Sequence, residues 1–115
     1  MAWPAIDVGN DFANEFASVI SPVALTLALE TLAIRSQFQG AAAAAQRDKV
    51  RFLEARFAPL WGDMGAVAEA FAVAWHAAGD RGNALRWCQR AVAAADGSAT
   101  MRAAAQLNQL RAATR

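Results

Sequence analysis

The chain has a single histidine, His76, and a single cysteine, Cys88. They are the only pair of residues suggesting nucleophilic chemistry. A cysteine nucleophile needs a base within hydrogen-bond reach and usually a third group to orient that base, and no third group suggests itself. One His and one Cys cannot close a tetrahedral zinc set. Asp63, Glu69 and Asp80 are dispersed, without the spacing of a calcium loop. The glycines sit singly at the ends of apolar runs, so no phosphate-cradling loop is present. The reading is therefore no enzyme, no cofactor and no metal. The remaining chemistry-bearing group is Arg86-Trp87, with Arg90 four residues after Arg86 on the same helix face. Two guanidinium groups beside an indole suit a protein partner, or less well the stacked base of a nucleic acid. Lysine is nearly absent, which counts against nucleic acid.

The bulk figures say what must position these residues. The 115 residues allow one domain with one core. The apolar fraction is 57%, much of it alanine, which favours helix but buries little area. With no Tyr and few runs of Val, Ile or Thr, an all-α fold follows. The net charge is +1 but unevenly spread. Asp7, Asp11, Glu15 and Glu30 face only Arg35 in the first 45 residues, whereas Arg81, Arg86, Arg90, Arg102, Arg111 and Arg115 outnumber Asp80 and Asp96 after residue 79. That asymmetry would steer an acidic partner to the C-terminal half or favour head-to-tail self-contact. A lone cysteine excludes an internal disulfide and suits a reducing compartment. With no secretory signal, and no apolar run of membrane-spanning length, a cytoplasmic location without membrane contact is expected.

Residues 1–10 read as irregular. Asp11 is placed to cap a helix to about Ile20, with Phe12, Phe16 and Ile20 on one face. Ser21-Pro22 starts a second helix, because the serine oxygen can accept a free N–H and proline has none to waste in the first turn. That helix carries Leu25, Leu29, Leu32 and Phe38 and stops near Gly40. After the alanine run Ala41–Ala45, which reads as either helix or linker, Gln46–Phe57 forms a helix with Val50, Leu53 and Phe57 inward and Arg47, Lys49, Arg51, Glu54 and Arg56 mostly outward. Pro59 is expected to end it. Asp63 is placed to cap Met64–Ala78, Gly79-Asp80 makes a turn, and a helix from Gly82 runs to Ala95. Asp96-Gly97 breaks the chain before a last helix with Met101, Leu107 and Leu110.

Ala66–Asp96 resembles a tetratricopeptide repeat, a helix–turn–helix unit with a period of about 34 residues. Ala72 fits the small position of the first helix, Trp75 the aromatic that fills the groove, Gly79-Asp80 the turn, and Ala84-Leu85 and Ala91 the second helix. Cys88 stands where an aromatic is usual, and Ala68 and Asp96 replace the early aromatic and the closing proline. Antiparallel helices approach closely only where the crossing points lack bulk. Ala72, Ala84 and Ala91 meet that need, and Phe71, Trp75, Leu85 and Val92 supply buried area. In this register Cys88 is a buried thiol and His76 a surface residue.

The resemblance implies a right-handed α–α superhelix of five or six helices in antiparallel pairs. Residues 1–62 would be a degenerate helical region and 63–115 the repeat-like hairpin with a capping helix. It implies a non-catalytic protein–protein interaction or scaffolding module, which takes a protein or peptide segment or forms a homo-oligomer. The partner-binding residues would be Phe71, Val73, Arg86, Trp87 and Arg90. A carboxylate-binding groove is not supported, since its surface would carry Glu69, Ala70, Val73, Ala103, Ala104 and Leu107; Gln106, Asn108 and Gln109 could add polar contacts. Trp3 and Trp61 read as plugs at helix junctions. The tail Asp96–Arg115 resembles the last repeats of bacterial proteins that join such arrays to a caspase-like peptidase domain, so a regulatory fragment of a larger protein is one alternative. An RNA-binding helical repeat is another.

Overall fold

A computed structural model describes residues 8–38 and 43–94. They form five helices and no strand: α1 (Val8–Glu15), α2 (Pro22–Phe38), α3 (Ala43–Trp61), α4 (Gly65–Ala77) and α5 (Arg81–Ala93). Trp3, the turn at Asp96-Gly97 and the expected C-terminal helix, with its candidate contacts from Ala103 to Gln109, lie outside the described residues. None of the described helices is long and apolar enough to cross a membrane.

α4 is the centre of the array. It packs most extensively on α5 and next on α2, while α3 lies against both α2 and α4 and α1 leans on α3. Its sequence, GAVAEAFAVAWHA, offers apolar side chains in nearly every direction. Gly65, Val67, Ala68, Ala70, Phe71, Ala72, Ala74 and Trp75 are all buried. Ala72, Ala84 and Ala91 have no exposure, as expected where helix backbones approach closely. The chain breaks between α4 and α5 at Gly79, whose φ of +87° is a conformation that glycine adopts without strain. The Gly79 N–H donates to the His76 carbonyl and the Asp80 N–H to the Trp75 carbonyl, which closes the helix with a Schellman motif. Arg47, near the start of α3, donates to the Ala78 carbonyl at 3.0 Å and ties that end of α4 to α3.

Two helix starts follow local rules. The Ser21 hydroxyl accepts from the Ala24 N–H at 3.1 Å and caps α2. Asp80 accepts from the Asn83 N–H at 3.0 Å and caps α5. Two other expectations fail. Asp63 does not cap α4: Met64 is the extended residue at the cap and no side chain caps it, while the exposed Asp63 carboxylate accepts from Arg90 at 3.3 Å. Pro59 does not end α3, which continues to Trp61. Proline removes one N–H that Ala55 would have received, but both residues are exposed, so water can serve the freed carbonyl. Phe57 and Trp61 stack across the proline at 5.4 Å, and the Gly62 N–H returns to the Ala58 carbonyl at 2.8 Å.

The first helix also differs. α1 ends at Glu15, and a turn through residues 16–18 redirects the chain. Phe16 and Val19 are buried, whereas Ile20 is 82% exposed. The extra turn hands the core Val19 instead of the isoleucine that an uninterrupted helix would have placed beside Phe16. Phe12 and Phe16 both meet Phe52 of α3, edge-on at 5.6 Å and stacked at 6.3 Å, and Lys49 pairs with Glu15 at 3.1 Å.

Candidate interaction surface

The cluster singled out around Trp87 is assembled, but as an internal brace. Glu54 on α3 accepts from Trp75 Nε1 of α4 at 2.9 Å, from Trp87 Nε1 of α5 at 2.6 Å, and from Arg86 at 3.0 Å on each oxygen. One carboxylate thus joins three helices and satisfies two indole N–H groups that burial would otherwise leave without partners. Arg86 also donates to Asn83 at 2.9 Å. Phe71 stacks on Trp87 with ring centres 4.6 Å apart. The guanidinium of Arg90 sits 4.1 Å from the Trp87 ring centre while it holds Asp63, and that of Arg86 lies at 5.3 Å. Gly62 closes the other side: a Cβ there would meet the Ala58 carbonyl at 2.6 Å and the Trp87 ring at 3.2 Å.

Of the five expected partner contacts, Phe71 and Trp87 have no exposure, so their rings offer a partner nothing. The helical register places Trp87 at the edge of the buried stripe, which is why it reads as a contact, whereas the burial of Phe71 agrees with the area it was expected to supply. α3, which supplies Glu54 across a gap of 33 residues, moves that edge inward. Val73 is half-buried on another side of α4, two residues on from Phe71. Arg86 is exposed and Arg90 half-buried, both committed to carboxylates. Glu54, expected to face mostly outward, is half-buried and is the functional side chain that sequence reasoning missed.

Cys88 has no exposure, and burial, then the nearby Glu69 charge, push its thiol up to about 11. A thiol so protonated is the reverse of an activated nucleophile. His76 is exposed in the last turn of α4. Among the described residues no group of three His, Cys, Asp or Glu side chains is placed to hold a metal ion.

The outstanding surface is on α2. Leu25, Leu29, Leu32 and Ala33 are buried along one side. On the opposite side Val23, Leu27 and Ile34 are 68%, 58% and 56% exposed. These three share a face because steps of four and seven residues return a helix to nearly the same direction. Ile20, in the residue before the Ser21 cap, extends the apolar exposure, and the exposed Glu30 interrupts it. Beside the stripe runs a groove of about 500 Å³ between α2 and the turn after α1. Leu27, Ala28 and Leu32 form one wall and Phe16 and Val19 the other. Glu15 lies at its rim, paired with Lys49 at 3.1 Å and with Arg35 at 3.9 Å. The sequence did carry this signal. Leu27 and Ile34 lie seven apart in a helix whose other face already holds its leucines, and Ile20 stands seven before Leu27, just ahead of that helix.

The chain matches no family model, no curated protein and no solved structure.

Proposed function

We propose that the chain is a non-catalytic protein–protein interaction module that takes an amphipathic helix along the outer face of α2. The observation that carries this is the two-sided apolar character of α2. A helix that is apolar all round is normally enclosed, and this one leaves three large aliphatic side chains in water beside a groove. Such a face with a groove along it suits the apolar stripe of another helix. Two features support a repeat of tetratricopeptide type as the scaffold. α4 and α5 form a hairpin with alanines buried at 72, 84 and 91, and α2 packs alongside α4 as successive first helices would. The protonated, enclosed Cys88 supports a role without catalysis, and a free thiol fits a reducing cytoplasm. The nucleic-acid reading loses its stacking platform, since Phe71 and two arginines cover Trp87.

The test is titration of a labelled synthetic helix with leucines at heptad spacing and a lysine placed to face Glu30, against a scrambled peptide of the same composition. The ordered peptide is expected to bind and to slow amide exchange in residues 23–34. Leu27→Asp is expected to weaken it by about tenfold or more. Equal binding of the two peptides, or unchanged binding by Leu27→Asp, overturns the proposal.

A further inference from the structure

We infer that the groove between α2 and the turn after α1 takes a free single-chain amphiphile with an anionic head, such as an alkyl carboxylate, with its head at Arg35 and its tail lying towards Ala24. This goes beyond the helix-binding face. Of the exposed aliphatic residues Ile20, Val23, Leu27 and Ile34, only Leu27 lines the groove.

The groove is graded along its length. Ala24, Ala28, Thr31 and Arg35 all line it, and steps of four, three and four set them in one line down the side of α2. The two alanines leave the space, since larger side chains there would fill the trough. Leu27, Leu32, Phe16 and Val19 make the lining beside them apolar. The Thr31 hydroxyl donates to the Leu27 carbonyl at 2.9 Å, so its proton is already committed. The charged lining residues, Glu15, Arg35 and Lys49, gather in one place: a single Glu15 oxygen lies 3.1 Å from Lys49 and 3.9 Å from Arg35. Arg35 sets this charged group at the end of the line. A volume of about 500 Å³ is in the range of small-molecule sites. Ala24 and Arg35 are roughly 16 Å apart at the helical rise. An extended chain gains about 1.2 Å per bond, so about ten to twelve carbons and a head cover that length.

Charge selects the head. Two cations share one carboxylate, which leaves the polar end with an excess of positive charge. Lys49 is the better held, with its side chain 19% exposed and its ammonium against Glu15. The Arg35 side chain is 51% exposed, and at 3.9 Å its guanidinium is too far from Glu15 for a hydrogen bond. It can offer two parallel N–H groups to a second carboxylate, a geometry that neither a neutral nor a cationic head can use. The grading also selects a free chain over a bilayer. Charge at one end and apolar lining along the rest suit a molecule lying flat in the trough, not a plane of headgroups with its chains upright.

The experiment titrates the full chain with decanoate below its micelle-forming concentration, with 1-decanol and decyltrimethylammonium as neutral and cationic comparators. Decanoate is expected to bind most tightly by calorimetry, with amide shifts at Phe16, Val19, Ala28 and Thr31. Arg35→Gln is expected to weaken decanoate by about threefold to tenfold and to leave 1-decanol unchanged. Glu15→Gln is expected to tighten decanoate by about twofold to fivefold, because it removes the competing carboxylate. Ala28→Phe is expected to abolish binding of both with an unchanged helical circular-dichroism signal. Arg35 and Glu15 are exposed, so their variants read the site even where Ala28→Phe disturbs the fold. No binding of monomeric decanoate overturns the inference, including the case in which the protein adsorbs to phosphatidylglycerol vesicles instead. Binding of 1-decanol or decyltrimethylammonium as tight as that of decanoate overturns it too, as does decanoate binding that Arg35→Gln and Glu15→Gln leave unchanged.

Discussion

α2 and α4 are both built from apolar residues on every side, yet they end in different surroundings. α4 has α2 on one flank, α5 on another and α3 across its C-terminal half, and its large side chains Phe71 and Trp75 are enclosed. α2 has α4 and α3 on one flank only, and its opposite flank carries Val23, Leu27 and Ile34 into solvent. The polar groups differ in the same sense. Around α4 they point inward, with Glu54 accepting from two indoles and an arginine. Around α2 they lie at the rim of a groove, where Glu15 meets Lys49 and Arg35. The apolar content of a helix therefore does not tell whether it is a core helix or a contact helix; the number of neighbours does.

Graded substitutions can break or sharpen this contrast. Trp87→Ala removes the ring between Phe71 and Arg90 and is expected to cost about 3–5 kcal/mol in chemical denaturation. A much smaller loss would mean that the enclosed side is looser than its packing implies. Glu54→Ala leaves two buried indole N–H groups and Arg86 without their acceptor, for an expected loss of about 2–3 kcal/mol. Glu54→Gln keeps one accepting oxygen and should lose less; an equal loss would place the weight on charge and not on the indole hydrogen bonds.

Asp80→Ala removes the α5 cap, with an expected cost of about 1 kcal/mol. The hydrogen bond from the Asn83 backbone holds the Asp80 carboxyl below its ordinary value of 3.8; partial burial opposes this, and the Asn83 side chain, Arg47 and Arg51 add to the lowering. A carboxyl depressed in the folded state contributes stability above its unfolded value and loses it as pH falls through the folded one. The gap between parent and Asp80→Ala should therefore be constant near neutrality and shrink in acid, below about pH 4. A gap that does not change with pH would show that the cap works without its charge. Leu27→Asp closes the series, with stability expected within about 0.5 kcal/mol of the parent while peptide binding falls. If it destabilised the fold as a core substitution does, the outer face of α2 would be core and the contrast would be lost.

Features that depend on a few neighbouring residues were legible in the sequence. Ser21-Pro22 predicts the start of α2 and Gly79-Asp80 the turn after α4, because the groups that satisfy each other lie within three to five residues; that Asp80 also caps α5 came from the structure. The small residues at 72, 84 and 91 read correctly as buried. Pro59 and Asp63 misled for the opposite reason. Each carries a local preference for ending or starting a helix, but the exposure that lets water serve the Ala55 carbonyl freed by Pro59 and the pull of Arg90 on Asp63 are set by the tertiary arrangement. The burial of Trp87 and the role of Glu54 were not legible, since a residue on α3 has no sequence relation to indoles 21 and 33 positions away. The outer stripe of α2 was written in the spacing of Leu27 and Ile34, but the same spacing would equally suit a buried helix.

The residue order alone determined that this chain is helical, where α2 and α5 begin, and where α4 turns back, because alanine propensity, capping and a glycine turn are settled within one or two turns of backbone. The tertiary arrangement decided which faces were left over. Once α4 took the central place, α3 could reach Trp87 with Glu54 and enclose it, and nothing among the described residues remained to cover Val23, Leu27 and Ile34. Burial is a property of all neighbours at once, so only the assembled helices separate the ring that holds the fold together from the aliphatic face that remains available for contact.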